Sequence, residues 1–204
     1  MPKIHKPRAG SLQIWPRKRA AKVLPGVNWR VLEQKSKAVK GPLGFICYKA
    51  GMARALARDL TQDSMTKNKQ VIVPLTVLEC PSMKILSVRF YKDDKVFKEV
   101  LADNLDKELR HRIKLPKEEQ KAAEILTEFE SSLNDFSDIR IIVYNIVKQT
   151  GIKKIPDIAE IGLGGSINDK FEFVKNHLNK PLDITEFFKR GSLVDVHGLT
   201  KGHG

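Results

Sequence analysis

Three consecutive cations, Arg17, Lys18 and Arg19, stand two residues after Trp15 in the stretch SLQIWPRKRAAK. Guanidinium and ammonium groups set side by side neutralise phosphates, and a neighbouring indole offers a flat face on which an exposed base stacks. A second tryptophan, Trp29, adjoins Arg30 in GVNWRVLEQK. For Trp15 the adjoining charges favour contact with RNA. For Trp29 two roles stand open, stacking on RNA or anchoring its segment to the rest of the fold. The same cationic chemistry recurs at Lys3, Lys6, Arg8 and Lys22, and again at Lys201 and His203 in TKGHG. In that last motif the intervening glycines leave nothing bulky to hold a sugar-phosphate backbone away. Lys49, in the YKAGM stretch, joins this candidate RNA-binding set.

The elements that carry these residues are unevenly charged. The first 40 residues hold eleven Lys and Arg against one acid, Glu33, and so account for ten of the thirteen net positive charges. The other 164 residues carry 26 basic and 23 acidic side chains, the balance of an ordinary globular domain. A basic arm on a near-neutral body is the simplest description. Such an arm repels itself and orders best against a surface of dense negative charge, of which nucleic acid is the foremost. Pro2, Pro7, Gly10, Pro16, Pro25 and Gly26 recur too often for one continuous helix, so the arm is expected to be extended.

Other chemistries find little support. The five histidines, His5, His111, His177, His197 and His203, show no metal-ligand spacing and no nucleophile signature beside them. No catalytic residue, metal site or cofactor is therefore expected. The glycines of GLGGS precede a helix signal, as in a phosphate loop, but lack the Lys-Ser or Lys-Thr ending, so a plain strand-to-helix turn is expected. Cys47 and Cys80 lie in apolar runs and are expected to be reduced core thiols. There is no apolar run of the roughly 18 residues that suggests a membrane span, and no amphipathic helix in the arm for a membrane surface.

The body, at 41% hydrophobic residues for the whole chain, has enough apolar content for a core. A first buried strand is expected at 43–48, followed by a glycine-bearing turn at 49–52. After a polar loop at 61–69, two β-branched runs at 71–79 and 83–91 read as a hairpin, with Pro74 demoting the first run to a sheet edge or bulge. A helical pattern fills 103–133, where Pro116 suits a first helical position and Ala122, Leu126, Phe129 and Leu133 make one apolar stripe. Strands are expected at 138–148 and 158–163, and a helix from Ser166, its N-cap, to about Asn179. Alternation at 192–196 suggests a last strand running into the TKGHG loop.

In this order, PRAGSLQIWPRKRA, GFICYKAGM, the two β-branched runs, EIGLGGSINDKFEFVKNHLNKPLDITEFF and GSLVDVHGLTKGHG, the chain resembles the large-subunit ribosomal protein L-three family in its archaeal and eukaryotic form. The likeness covers most of the chain and is carried by PRxGSLxxxPRKRA at 7–20, YKAGM at 48–52 and VDVxGxTKGxG at 194–204. The resemblance implies an α+β fold, with a partial β-barrel body, an inserted α/β subdomain and a basic extended N-terminal arm. It divides the chain into an rRNA-binding arm at 1–40, the first part of the barrel at 41–92, the insertion at 93–179, and a return to the barrel with the start of a basic loop at 180–204. It further implies large-subunit rRNA and neighbouring large-subunit ribosomal proteins as partners, a cytoplasmic, ribosome-bound location, and assembly near the peptidyl-transferase region.

In the family, TKGxG lies near mid-chain and leads into a long basic extension and the strands that complete the barrel, whereas this sequence stops at Gly204. A fragment, or one half of a protein whose complement is a separate chain, is the expectation. Unpaired sheet edges would then favour aggregation unless covered. On residues alone two other classes remain, a free RNA chaperone or regulator, and an RNA-modifying enzyme. The enzyme would need a convergent nucleophile, base or cofactor set that the sequence does not display.

Overall fold

The computed structural model describes residues 22–35, 39–116 and 121–200. The chain divides into two units, residues 28–192 and residues 1–27 with 193–204. Seven strands lie among the described residues of the larger unit: β1 (Gly41–Pro42), β2 (Tyr48–Arg58), β3 (Gln70–Glu79), β4 (Met83–Lys92), β5 (Lys95–Leu101), β6 (Asp138–Asn145) and β7 (Ile158–Gly164). The helices are α1 (Trp29–Lys35), α2 (Ala122–Glu130), α3 (Val147–Thr150), α4 (Ile167–His177) and α5 (Ile184–Phe187). Five strands form an antiparallel sheet in the order β1-β7-β6-β4-β5, and β2 and β3 form a separate two-stranded ribbon. The result is a mixed α+β fold without a closed barrel among the described residues.

Hydrophobicity on both faces puts β4 and β6 at the centre of the larger sheet. Along β6, Ile139, Ile141 and Val143 are fully buried on one face, while Ile142 and Tyr144 pack with Leu86 and Leu109 on the other. A strand covered on both sides reads as a continuous apolar run rather than an alternating one. The helices supply part of that cover. Phe129 of α2 stacks on Phe90 at a 5.1 Å ring separation, with Phe136 alongside at 5.0 Å from Phe90. Phe171 and Val174 bury the apolar stripe of α4, which packs against β6 and β7.

Several expectations from the sequence hold. β7 and α4 fall where the pattern places them, and Ser166 caps α4 in a reciprocal capping box with Asp169. The 3.6-residue stripe of α2 is present, although the helix is shorter than the 103–133 pattern and is preceded by a 3-10 turn at Lys107–His111. Pro74 lies on β3, which among the described residues pairs with β2 alone, as an edge strand does.

Other expectations are overturned. The runs at 71–79 and 83–91 do not pair with each other: β3 pairs with β2, and β4 with β5 and β6. The true hairpin turn is the polar loop between β2 and β3, closed by Asp59, whose carboxylate accepts from Thr61 N at 2.9 Å and Thr66 Oγ1 at 2.6 Å. The backbone of Met83 instead exchanges hydrogen bonds with Leu182, at 3.0 and 2.7 Å. The turn expected at 49–52 is also absent. β2 runs straight through it, and Gly51 marks a bulge where the register shifts against β3. The strand expected at 43–48 therefore begins only at Tyr48. β6 ends at Asn145, where α3 follows, rather than at 148. Cys47 and Cys80 are free thiols but only half-buried, and partial burial, with Cys47 alongside, pushes the Cys80 thiol up to about 11.

Residues 22–27 and 193–200 of the smaller unit have no helix or strand. The last strand expected at 192–196 is thus not formed, and Leu193, Val194 and Val196 are exposed. A strand with no neighbour to pair with leaves its backbone groups unsatisfied, and alternation alone does not supply one.

Candidate nucleic-acid interface

Of the candidate RNA-binding residues, Lys22, Arg30 and Lys49 fall among the described residues, while Lys3, Lys6, Arg8, Trp15, Arg17, Lys18, Arg19, Lys201 and His203 lie outside them. Lys22 is exposed in the smaller unit. Arg30 projects from α1 and pairs with Asp94 at 2.7 Å, both side chains being more than half exposed. Lys49 is exposed on β2 next to the bulge. Arg30 and Lys49 thus sit on different elements, and no contact among the described residues joins them.

The two roles left open for Trp29 are separated by its surroundings. α1 is built from good helix formers, Arg30, Leu32, Glu33, Gln34 and Lys35, and where an extended arm was expected it packs as a helix against β7. Trp29, its first residue, is buried, and its indole N–H donates to the carbonyl oxygen of Glu160 at 2.8 Å. Its ring lies over Gly44 and Gly162, where a β-carbon would come within 2.9 and 3.2 Å of it. An indole so enclosed is an anchor, not a stacking face for a base.

The same geometry explains the glycine cluster. Gly162 makes room for Trp29, and at Gly164 a β-carbon would fall 2.0 Å from the carbonyl oxygen of Val39. Two of the amides at the start of α4 are already taken by its own side chains. Ser166 Oγ accepts from Asp169 N at 3.3 Å, and Asp169 Oδ2 accepts from Ser166 N at 3.1 Å. Lys40 Nζ stands 2.6 Å from Asp169 Oδ1. The hydrogen bonds from Lys40 and Ser166 hold the Asp169 carboxyl down at about 2. A carboxylate already fills the place a phosphate would take.

Elsewhere the body neutralises much of its own charge. Arg89 pairs with Glu99 at 2.9 Å, Arg140 with Asp138 at 2.7 Å, and Glu160 receives both Arg89 and Arg140, at 3.4 and 3.6 Å. The Tyr91 hydroxyl donates to Glu160. Lys153 closes on Asp157 at 2.5 Å, and Asp157 also accepts from the Tyr48 hydroxyl at 2.6 Å. Among the described residues, cations outside any ion pair include Lys49, Arg54 and Arg58 on β2, Lys92, Lys95 and Lys98 at the β4–β5 turn, and Lys107, Arg110, Arg112 and Lys114 after β5. In the sequence that last group carries no distinct signal, because its charges are interleaved with apolar and acidic residues.

A family model for ribosomal protein L3 matches residues 1–204. The chain belongs to the ribosomal protein L3 family. Curated relatives named large ribosomal subunit protein uL3 are 37% identical in Methanocaldococcus jannaschii, over 98% of this chain and 60% of the relative. The protein of that name in Archaeoglobus fulgidus is 35% identical over 99% of this chain and 61% of its own length. That of Methanosphaera stadtmanae is 36% identical over 100% and 61%. The chain spans about 60% of the length of these relatives. Membership of the L3 family agrees with the order of motifs in the sequence, from PRKRA to TKGHG. No helix among the described residues is long and apolar enough to cross a membrane.

Proposed function

We propose that this chain is a structural constituent of the large ribosomal subunit in the cytoplasm, binding rRNA and supporting subunit assembly near the peptidyl-transferase region, with no chemistry of its own. The observation that carries this is the match to the ribosomal protein L3 family along the whole chain. The charge distribution supports it: a near-neutral folded body, and an N-terminal segment holding ten of thirteen net positive charges. Arg17, Lys18 and Arg19 neutralise backbone phosphates, Trp15 offers a stacking face, and Lys201 with His203 makes a second anchor. Lys3, Lys6, Arg8, Lys22, Arg30 and Lys49 extend the cationic track, Arg30 by exchanging Asp94 for phosphate. Most contacts are to backbone and shape, since helical RNA hides base edges in a deep, narrow groove.

Neighbouring large-subunit proteins are the expected protein partners. A polypeptide equivalent to the part of the family's length outside this match, whether on the same chain or a separate one, completes the β structure by covering the β2–β3 ribbon. The apolar face of that ribbon, and its outer edges unpaired among the described residues, support this.

Sedimentation of cell extract on a gradient in moderate salt tests the function. Co-migration with the large subunit that survives a salt wash is expected, together with the complementary polypeptide. Recovery only at the top of the gradient would replace a ribosomal constituent with a free RNA-binding protein.

A further inference from the structure

Residues 105–115, LDKELRHRIKL, are organised so that every acid faces inward to a partner and every cation faces water. Leu109 is fully buried in the cluster with Leu86, Ile142 and Tyr144, and Leu105, Ile113 and Leu115 pack against it. The turn is fixed at its start by Asp106. Its carbonyl oxygen accepts from Leu109 N at 3.1 Å, and its carboxylate accepts from Lys84 Nζ at 3.0 Å and from the Tyr144 hydroxyl at 3.0 Å. Glu108 is neutralised by Lys148 at 2.7 Å. Lys107, Arg110, Arg112 and Lys114 are all exposed and make no ion pair among the described residues, and His111 is exposed between them.

The backbone spaces these charges usefully. Lys107 and Arg110 are three residues apart in the 3-10 turn Lys107–His111 and so share one side of it. Their separation along the axis is about 6 Å, from a rise of ~2 Å per residue. Arg112 and Lys114 follow the turn and are exposed, while Ile113 between them packs against the core. Four cations are thus held on a packed support, so little ordering opposes their engaging a polyanion together.

We propose that residues 107–114 form a second RNA-backbone site, in which Lys107, Arg110, Arg112 and Lys114 engage successive phosphates of a folded RNA. This rests on the RNA-binding function proposed above and adds a surface on the body to the N-terminal segment. A nucleic acid suits the site better than an acidic protein. The apolar residues of the stretch all turn inward, leaving no apolar centre of the kind a protein interface is built around. The lack of an outward apolar wedge likewise removes what a membrane-surface segment needs.

The test measures binding of the full chain to purified large-subunit rRNA across a salt series. Four proteins are compared: the wild type, K107Q/R110Q/R112Q/K114Q, the charge-removal control K92Q/K95Q/K98Q, and R17E/K18E/R19E. Circular dichroism and thermal melting check that each is folded, which exposed charge-to-amide changes preserve. The expected result is that the four-residue variant binds roughly tenfold or more weakly, and that its slope of log affinity against log salt falls by about 3. The control should lose less than half as much slope. Wild-type binding with an unchanged slope in the four-residue variant would overturn the site while leaving RNA binding by the N-terminal segment intact. Equal losses in the variant and the control would also overturn it, in favour of diffuse charge. So would retention of RNA binding with loss of binding to polyglutamate or phosphatidylserine vesicles. A wild type that binds no rRNA, by contrast, would remove the proposed function itself.

Discussion

Lys170 Nζ lies 2.6 Å from Asp138 Oδ1, and both side chains are closed off from water. The pair fastens α4 to the first residue of β6. Asp138 has further donors: Ile139 N reaches the same oxygen at 2.7 Å, and Arg140 Nε reaches Oδ2 at 2.7 Å. Asp138 serves three donors at once, so the two deletions are unequal. Asp138→Ala removes the acceptor of all three contacts at the buried start of β6 and is expected to cost about 3–5 kcal/mol. Lys170→Met keeps the aliphatic stem and leaves Asp138 with its other donors, and so costs less. Urea denaturation of both variants checks the order. A larger loss for Lys170→Met would mean that Lys170 contributes more to the fold than its contact with Asp138.

The enclosure of Trp29 by Gly44, Gly162 and the Glu160 carbonyl predicts distinct behaviour for the two tryptophans. With Trp15→Phe, the remaining indole is Trp29, and its emission should be blue-shifted, weakly quenched by iodide and unchanged by saturating rRNA. With Trp29→Phe, the emission comes from Trp15 and should respond to rRNA. The same substitution at Trp29 removes a hydrogen bond whose acceptor is part-buried, and a loss of about 1–3 kcal/mol is expected. A response of Trp29 to RNA would reopen the role that its burial closes.

What the sequence made legible, and what it did not, follows from how local each signal is. The α4 capping box is written within four residues, Ser166 to Asp169, and was read correctly, as were β7 and the stripe of α2. Proximity along the chain favours pairing β3 with β4 across Cys80, Pro81 and Ser82, but β3 pairs with β2. The deciding fact, that β4 is buried inside a sheet while β3 stays largely exposed, depends on β5 and β6. Gly162 and Gly164 carried a phosphate-loop signal, yet their purpose is to admit Trp29 and the carbonyl of Val39, residues far away in sequence. For the RNA-binding set, charge marked the N-terminal segment at once. The 107–114 stretch stayed hidden, because only the packing of Leu109 and the pairing of Asp106 and Glu108 reveal that its cations are unanswered.

Asp169 gives the fold a pH dependence of known sign. Its carboxyl is held at about 2, below its ordinary 3.8, first by the hydrogen bond from Lys40 and then by those from Ser166. A depressed carboxyl stabilises the folded state above the unfolded value and loses that contribution as pH falls through the folded value. The α4 cap should therefore be intact above pH 4 and dissolve between about 4 and 2. Amide exchange at the first turn of α4 reports it, with protection falling across that window in the wild type. In Asp169→Asn the step should be absent. Persistence of the step in that variant would assign it to another carboxylate.

The β2–β3 ribbon has one face made only of apolar residues. Register places Ala53 opposite Leu75, Ala55 opposite Val73 and Ala57 opposite Val71, with Gly51 opposite Val77. Val73, Leu75 and Val77 remain 38%, 42% and 49% exposed. An isolated two-stranded ribbon is marginal in water, and its open edges template further strands. The chain alone should therefore bind a hydrophobic dye and scatter light as its concentration rises. Leu75→Lys places a charge at the middle of the apolar face, and Arg54→Asp on the opposite face serves as comparison. Leu75→Lys should cut both dye binding and scattering several-fold, while Arg54→Asp should leave dye binding unchanged. If the complementary polypeptide docks on this face, Leu75→Lys should also abolish its co-purification, and the same lysine should have no effect on sedimentation of the chain with naked rRNA. Scattering that survives Leu75→Lys would move the aggregating surface away from this face of the ribbon and leave the face without a demonstrated partner.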